Sequence, residues 1–480
     1  MRIFLFGTGR FFRKRQDFFS RISQNDDFLG FLDNRATEII QCDGFPVYKP
    51  EIVLSMDFDA IVLMSASFPE MKEQLLSLGV SARKIFSWEQ YLKTSPCEQF
   101  KRCIQSKENY GKKKILLFAT TFEYNGGSLA CVYAAMCLQA GGSAVSIVVP
   151  DWNPAFYDEV LAVGGKVILM PSLPEIDREA MFWIRQFDVV LVNVFQMIQC
   201  ACEISQRTPI LWWIHEPSDN YSSIYGDTRC RFAAYDDVRK MERIRIYAVS
   251  EIAKRNFETY YPARVDGILT YGIPDKSFHL AIHKEKSEKI IFAIIGTFVS
   301  LKAQDVFLSA VLQLPEETRT KAEFWMIGHY DNDEYGQQIK YQAELVPTVK
   351  MTGELTRAQM QQVWPKIDVV VCPSLEETMS IVITEGLMYE KFCIVSDHSG
   401  IAQYIIDGEN GFICAAGDAN SLAEKMKWIF ENWNKLAAIR KNGRKTYEEN
   451  FSMSSFGERL NKALLETEEE YHKRWPGKRA

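Results

Sequence analysis

No two cysteines in this chain are spaced as CxxC. The eleven cysteines, at 42, 97, 103, 131, 137, 200, 202, 230, 372, 393 and 414, fall at irregular intervals. Neither a zinc ribbon nor a redox dithiol is indicated. Several lie in apolar strand-like runs, such as Cys372 in IDVVVCPS, which suits reduced, buried thiols in a reducing compartment. Long apolar runs are also missing. IIFAII at 290–295 falls well short of the ~18 residues a spanning helix needs. There is no excess of positive charge: 56 basic against 62 acidic residues leave a net charge of −6. A nucleic-acid partner, which demands a clustered basic face, is therefore not expected. No internal repeat and no low-complexity tract is visible, which sets aside solenoids and disordered chains. The opening MRIFLFGTG is followed at once by RFFRKRQ, whereas a secretory signal carries its charges before the apolar run. The expectation is a cytoplasmic protein, at most held at the surface of a membrane.

What is present is the usual mix of a soluble globular protein: 480 residues, 47% apolar and 25% charged. At roughly 150 residues per domain, the length suggests about three domains. The chain repeats strand, turn and helix, and three sets separate. They open with RIFLFGTG (2–9), KKILLFATTF (113–122) and KIIFAIIGTF (289–298), the latter two after the polar stretches KENYGKKK and HKEKSEK. Continuous apolar strands alternating with helices predict α/β doubly wound domains with parallel sheets. A closing helix is predicted from about Ser455 to Lys473, beginning beside Ser454 and Ser455 and ending before Pro476.

The third set carries the most chemistry. In CPSLEETMSIVITEGLMYEKFCIVSD (372–397) a strand ends at Cys372, Pro373 breaks it, and a helix begins near Met379 or Ser380. The first turn of that helix offers unpaired N–H groups, a ready anion site. Glu385 falls among Ile381, Val382, Ile383, Leu387 and Met388. Two arrangements fit this window. Glu385 lies on a solvent face, or it is buried and needs a partner for its charge, for which adjacent ribose hydroxyls would serve. Glu377, likewise, is either a helix-start acid favoured by the dipole or a ligand contact.

The wider segment resembles the retaining glycosyltransferases of family 4, which have the two-domain GT-B fold. Their signature of two glutamates separated by seven residues is matched by Glu377 and Glu385. IIGTFVSLKAQDVFLSAV (294–311), FWMIGHY (324–330), VKMTGELTRAQMQQVWPKIDVVVCPS (349–374) and VSDHSGIAQYIIDGENGFIC (395–414) resemble the family's nucleotide-binding domain in the same order. The resemblance implies that Lys302 holds the donor diphosphate, Glu385 the ribose hydroxyls, and Glu377 the donor sugar ring. Backbone amides near Met379, Ser380 and Ile381 would meet the diphosphate or sugar. The chain departs from the family at Thr297, where a basic residue is common after the first glycine. It departs again at Met379-Ser380 in place of an aromatic–glycine pair, and at Gln403 in place of an acid. Glu376 competes with Glu377 for the sugar role, and the spacing prefers Glu377.

The second set resembles the family's amino-terminal domain. Gly126 and Gly127 lie in a loop that the resemblance places over the donor phosphates; read alone, the pair is equally a plain tight turn. His215 ends a strand in PILWWIHEPSD (209–219), at the edge where doubly wound folds bind ligands. The family has a histidine there, which implies a sugar contact; Glu216 is a weaker candidate. The first set holds Gly7-x-Gly9 but has Phe12 where the dinucleotide fingerprint has its third glycine, and Asp33 ends a second strand. It resembles small Rossmann-like domains that precede sugar-modifying bacterial enzymes. Nucleotide binding, oligomerisation and partner docking stay open for it. The run RFFRKRQDFF (10–19) is either a solvated helix start or a contact for phosphates or anionic lipid.

The expected organisation is a Rossmann-like accessory domain (1–98), a linker (99–112), an acceptor domain (113–280), a nucleotide-sugar domain (281–452) and a terminal helix with a basic tail (453–480). The expected activity is retaining transfer of a sugar from a nucleotide-sugar donor to a glycan or lipid-linked acceptor in bacterial cell-surface polysaccharide synthesis. Charge growing on the leaving diphosphate would be met by Lys302, the glycine-loop amides and a helix N-terminus. No metal or other cofactor is expected, and DND at 331–333 reads as a surface loop. The alternatives are a non-catalytic sugar- or nucleotide-binding protein of the same fold, and another GT-B enzyme such as a nucleotide-sugar epimerase.

Overall fold

A computed structural model describes residues 1–13, 26–37, 39–65, 68–93, 102–105, 111, 113–119, 125–149, 166–170, 182–195, 201–202, 204–205, 207–221, 242–261, 264–277, 289–331, 333–433 and 437–475. The chain divides into two compact units. The first is Met1–Tyr124 with Gly142–Val192 and Gln196–Thr208; the second is Asn125–Gly141, Asn193–Phe195 and Pro209–Ala480.

The first unit opens with a six-stranded sheet. Its strands are β1 (Arg2–Phe6), β2 (Asp27–Leu32), β3 (Gln41–Cys42), β4 (Phe45–Tyr48), β5 (Ala60–Leu63) and β6 (Ile85–Ser87), in the order β3-β4-β2-β1-β5-β6. All pairs are parallel except β3 with β4. Ile3, Phe4, Leu5 and Phe6 of β1 are all buried, as expected of a strand covered on both faces. Asp33, just past β2, accepts from the Thr8 backbone N–H at 3.1 Å, the Thr8 hydroxyl at 2.6 Å and the Arg35 N–H at 3.0 Å. Burial pushes its carboxyl up, but the Thr8 and Arg35 bonds outweigh this and hold it below the usual carboxylate range. The acid thus closes the loop after β1. Residues 14–19 of the basic run lie outside the described residues.

The same unit holds β7 (Arg102–Gln105), β8 (Lys114–Phe118), β9 (Ala144–Val149), β10 (Lys166–Leu169) and nearly all of β11 (Val189–Asn193), ordered β11-β8-β9-β10-β7. Strand β7 runs antiparallel to β10 and lies inside the stretch 99–112 read from sequence as a linker. An edge strand needs only one partner and stays short. Arg-Cys-Ile-Gln therefore carries no continuous apolar signal.

In the second unit, β12 (Ile210–Ile214), β13 (Ile244–Ala248) and β14 (Gly267–Ile268) pair in parallel. A second sheet follows, with β15 (Ile290–Ile295), β16 (Ala322–Ile327), β17 (Val349–Gly353), β18 (Val369–Cys372), β19 (Phe392–Ser396) and β20 (Phe412–Cys414), all parallel. Its order, β17-β16-β15-β18-β19-β20, reverses direction between β15 and β18. In open α/β sheets ligands bind beyond the carboxyl ends of the strands at this switch point. The closing helix spans Met453–Arg474 and is capped by Ser452, whose hydroxyl accepts from Ser455 N–H. It begins two residues earlier than the sequence suggests because Ser452, rather than Ser454 or Ser455, has the extended backbone a cap requires.

Among the described residues no helix is long and apolar enough to cross a membrane. Seven of the described cysteines are free: six are buried, and Cys42 is partly exposed.

Candidate active site

Two loops flank the switch point. The first leaves β15 through Gly296-Thr297 and tightens into a short turn at Ser300–Lys302. Ala303, next in line, is buried and has a φ of 56°, a left-handed conformation uncommon for a residue with a side chain. Strain of this sort gathers at functional sites, and here it turns the chain from Lys302 into the helix Gln304–Gln313. The Gln304 side chain donates to the Thr297 carbonyl at 3.1 Å. Thr297 itself is exposed.

The second loop leaves β18 at Cys372. Leu375 N–H donates to the Leu301 carbonyl at 2.9 Å, and Ser396 Oγ to the Ser374 carbonyl at 2.6 Å. The loops are thereby laid side by side, and Lys302 Nζ forms an ion pair with Glu377. The lysine side chain is 35% exposed and the glutamate 12%, so the cation can still be reached from solvent. Burial alone would lower the lysine's pKa; the Glu377 carboxylate more than offsets this, and the net shift is upward.

Glu376, the rival of Glu377, faces elsewhere. Its carboxylate accepts from Ser218 N–H at 2.7 Å, Ser218 Oγ at 2.5 Å and Asn256 Nδ2 at 2.7 Å. The helix that follows is Ile381–Met388, with Ser380 as its cap: the hydroxyl accepts from Ile383 N–H. Met379 therefore belongs to the loop, and its carbonyl accepts from the buried Tyr271 hydroxyl at 2.9 Å. Glu385, on the second turn, is half-buried rather than on a solvent face. No hydrogen bond or ion pair to its carboxylate is present among the described residues. Burial pushes its pKa to about 6, against the pull of Lys276 and Arg357.

The opposite wall is built by the glycine loop and the end of β12. Asn125 caps the helix Gly126–Ala140, its side chain accepting from Ser128 N–H. A Cβ on Gly126 would stand 3.9 Å from Ile381 Cδ1, so the starts of two helices face each other. At Gly127 a Cβ would press on Val194 Cγ1 at 3.2 Å. Val194 has a φ of 72°, an outlier for a β-branched residue. It is held there by its own N–H to the Trp213 carbonyl and by Trp212 Nε1 to its carbonyl, each at 2.9 Å. Asn193 Nδ2 donates to the Gly127 carbonyl at 3.0 Å.

His215 follows β12 and is buried, with its ring 4.4 Å from that of Trp213. Its Nε2 has no hydrogen-bond partner among the described residues, and burial drops its pKa to about 3, which leaves the imidazole neutral. Glu216 turns inward, accepting from His215 N–H at 2.9 Å and Phe195 N–H at 2.6 Å. Burial raises it to about 7 in spite of those amides, and its bonds brace backbone. Of the residues picked from sequence, Lys302 with Glu377 and Gly126 with Ile381 are brought together, and Thr378 Oγ1 ties this loop to the His215 carbonyl at 2.7 Å. Thr297 stays apart. Asn193, Ser218, Asn256 and Tyr271 escape sequence reasoning. Only Asn193 leaves a trace, as a polar residue closing the apolar strand FDVVLVNV. In DND, Asp331 bonds His329 at 3.0 Å and Asp333 caps the helix Glu334–Glu344; Asn332 lies outside the described residues. Among the described residues, no group of three His, Cys, Asp or Glu side chains is placed to hold a metal.

Residues 275–446 match the model of the family described as glycosyl transferases group 1, and residues 1–86 match the one described as C2185-like, N-terminal. Residues 275–446 thus match a glycosyltransferase domain, the fold is that of GT-B structures, and a further sheet lies at the amino end. The uncharacterized glycosyltransferase MJ1607 of Methanocaldococcus jannaschii is 21% identical over 366 residues, 69% of this chain and 93% of that protein. The capsular polysaccharide biosynthesis glycosyltransferase CapM of Staphylococcus aureus is 31% identical over 94 residues, 20% of this chain and 25% of that one. The crystal structure of HepE from Anabaena in complex with UDP and glucose has a TM-score of 0.61 at 16% identity, covering 74% of this chain and 100% of that one.

Proposed function

We propose that the protein transfers a sugar, with retention of anomeric configuration, from a nucleotide-sugar donor to a glycan or lipid-linked acceptor in cell-surface polysaccharide synthesis. The observation that carries this reading is the pairing of Lys302 with Glu377 at the sheet's switch point, a few residues from a half-buried Glu385 whose carboxylate has no partner among the described residues. In this reading two ribose hydroxyls bond Glu385. Lys302 turns from Glu377 to the diphosphate, and the amides at Gly126-Gly127 and Ser380-Ile381 share its charge. Stabilising the leaving diphosphate in this way lowers the barrier without a separate acid. Glu377, freed of its cation, accepts from a hydroxyl of the donor sugar. Neutral His215 offers Nε2 to another. A UDP-bound neighbour of the same fold favours a nucleotide sugar as donor, and a relative named for capsular polysaccharide biosynthesis favours a glycan product. Contact with anionic lipid through residues 10–19 belongs to the same proposal, and co-sedimentation with anionic vesicles tests it.

Melting-temperature shifts across UDP, GDP, dTDP and ADP sugars identify the donor, because a ligand that binds only the folded state raises its stability. Glu385→Ala is expected to remove the shift given by that donor and to cut turnover by on the order of 100-fold or more while the far-UV CD spectrum is unchanged. Near-normal turnover in that variant would overturn the assignment.

A further inference from the structure

Glu377 lies in extended chain, forming an isolated parallel bridge with Ser399. Successive side chains in extended backbone point to opposite sides. Glu377 points to Lys302, so its two neighbours point the other way, and both are bonded to the turn after β12. Thr378 Oγ1 donates to the His215 carbonyl at 2.7 Å. Glu376 takes three donors, from Ser218 N–H, Ser218 Oγ and Asn256 Nδ2. Ser218 opens the helical turn 218–221, and Asn256 lies in the helix Glu251–Tyr260. The carboxylate's acceptor sites are thus largely filled by protein, and no cation among the described residues is paired with it. Bonds to an ionised acceptor are the strong kind, which makes this contact a firm tie.

We propose that Glu376 is a positioning residue: its tie to Ser218 and Asn256 fixes the separation of His215 and Glu377, and so the gap that receives the donor sugar. The inference rests on the reading of His215 and Glu377 as sugar contacts. Backbone bonds to His398 and Gly400 hold Glu377 to its own sheet, but against the turn after β12 a single bond, from Thr378, would leave a pivot. Two bonds flanking Glu377 remove that freedom. Reactions held in near-attack geometry are sensitive to displacements of about 1 Å, so a swivelling Glu377 slows the reaction without weakening the grip on the nucleotide, which lies with Lys302 and Glu385.

The test measures release of nucleoside diphosphate, without acceptor, from whichever of UDP-, GDP-, dTDP- and ADP-glucose most raises the melting temperature. Glu376→Ala is expected to lower kcat by on the order of 10- to 100-fold, while the melting shift given by the matching nucleoside diphosphate alone is unchanged. Glu376→Gln keeps an oxygen for the two N–H donors and an amide for the Ser218 hydroxyl, and is expected to restore kcat to within a few-fold of wild type. Asn256→Ala, which removes one donor and leaves the charge, is expected to fall between. Wild-type kcat in Glu376→Ala overturns the proposal, as does a Gln variant as slow as the Ala variant. If Glu376→Ala does not fold, wild-type kcat in Asn256→Ala overturns it. Glu385→Ala separates the two ideas. If it is inactive while Glu376→Ala is normal, only the positioning role fails. If it too is normal, or if no donor is bound or hydrolysed by the wild type, the reading of the site fails.

Discussion

Three carboxylates in one stretch of chain behave differently because their surroundings differ. Glu377 has a cation, Glu376 has three neutral donors, and Glu385 has burial without a bonded partner among the described residues. Burial lifts Glu385 from an ordinary 4.5 to about 6. A folded chain that holds a proton more tightly than the unfolded one gains stability as pH falls through the interval between the two pKa values. Between about pH 6 and 4.5 the wild type therefore gains stability on acidification from this group. Glu385→Gln, which cannot titrate, lacks that gain. The melting temperature of Glu385→Gln relative to wild type is expected to be higher at pH 7.5 than at pH 4.5, read by calorimetry. The same proton interferes with the proposed ribose contact. Donor KM is expected to rise as pH drops below about 6, and this inflection should vanish in Glu385→Gln. His215, held near 3 by burial, is expected to contribute no inflection between pH 5 and 8.

At the scale of elements, the site depends on how helices begin and how closely loops approach. Ser380 satisfies an N–H at the start of Ile381–Met388; its replacement by alanine is expected to cost about 1 kcal/mol, and by glycine only a few tenths. Gly400 follows the Ser399 that bridges Glu377, and its N–H donates to the Glu377 carbonyl at 2.8 Å. A Cβ there would collide with the Thr378 carbonyl oxygen and stand 2.7 Å from Ser250. Gly400→Ala is expected to destabilise by about 1–3 kcal/mol, as overpacking does. It should also slow turnover more than Ser380→Gly does, because the displaced atoms carry Glu377. Urea melts and steady-state rates on the same preparations check both.

For the whole molecule, the proposed diphosphate site draws on Lys302 and two facing helix starts, while Lys276 and Arg357 act on Glu385. The proposed reaction places Lys302 where a divalent cation would otherwise neutralise the diphosphate. Activity after dialysis against EDTA is expected to stay within about twofold of the untreated protein, whereas Lys302→Ala is expected to lose on the order of 100-fold. A loss in EDTA that Mg²⁺ or Mn²⁺ restores would show that the lysine is not sufficient. The amino-terminal sheet has its own hydrophobic core, and its strand-end acid closes its own loop through Thr8. A nucleotide bound there in dinucleotide fashion would need Asp33 released from Thr8 and Arg35.

The parallel sheets were legible in the sequence because a strand buried on both faces must be apolar throughout, as IIFAII and VVVC are. Lys302, Glu377 and Glu385 were legible only through the family resemblance and its two glutamates separated by seven residues; the structure pairs the first two. The edge strand Arg102–Gln105 was not, since one-sided pairing leaves no such pattern. Nor were the partners of Glu376: spacing preferred Glu377 for the sugar role, but only the extended backbone, which sends neighbours to opposite sides, decides that Glu377 meets Lys302 while Glu376 meets Ser218 and Asn256. The same holds for Glu385. Its spacing came from the chain, but its half-burial without a bonded partner is a property of the packed helix and of the described elements around it.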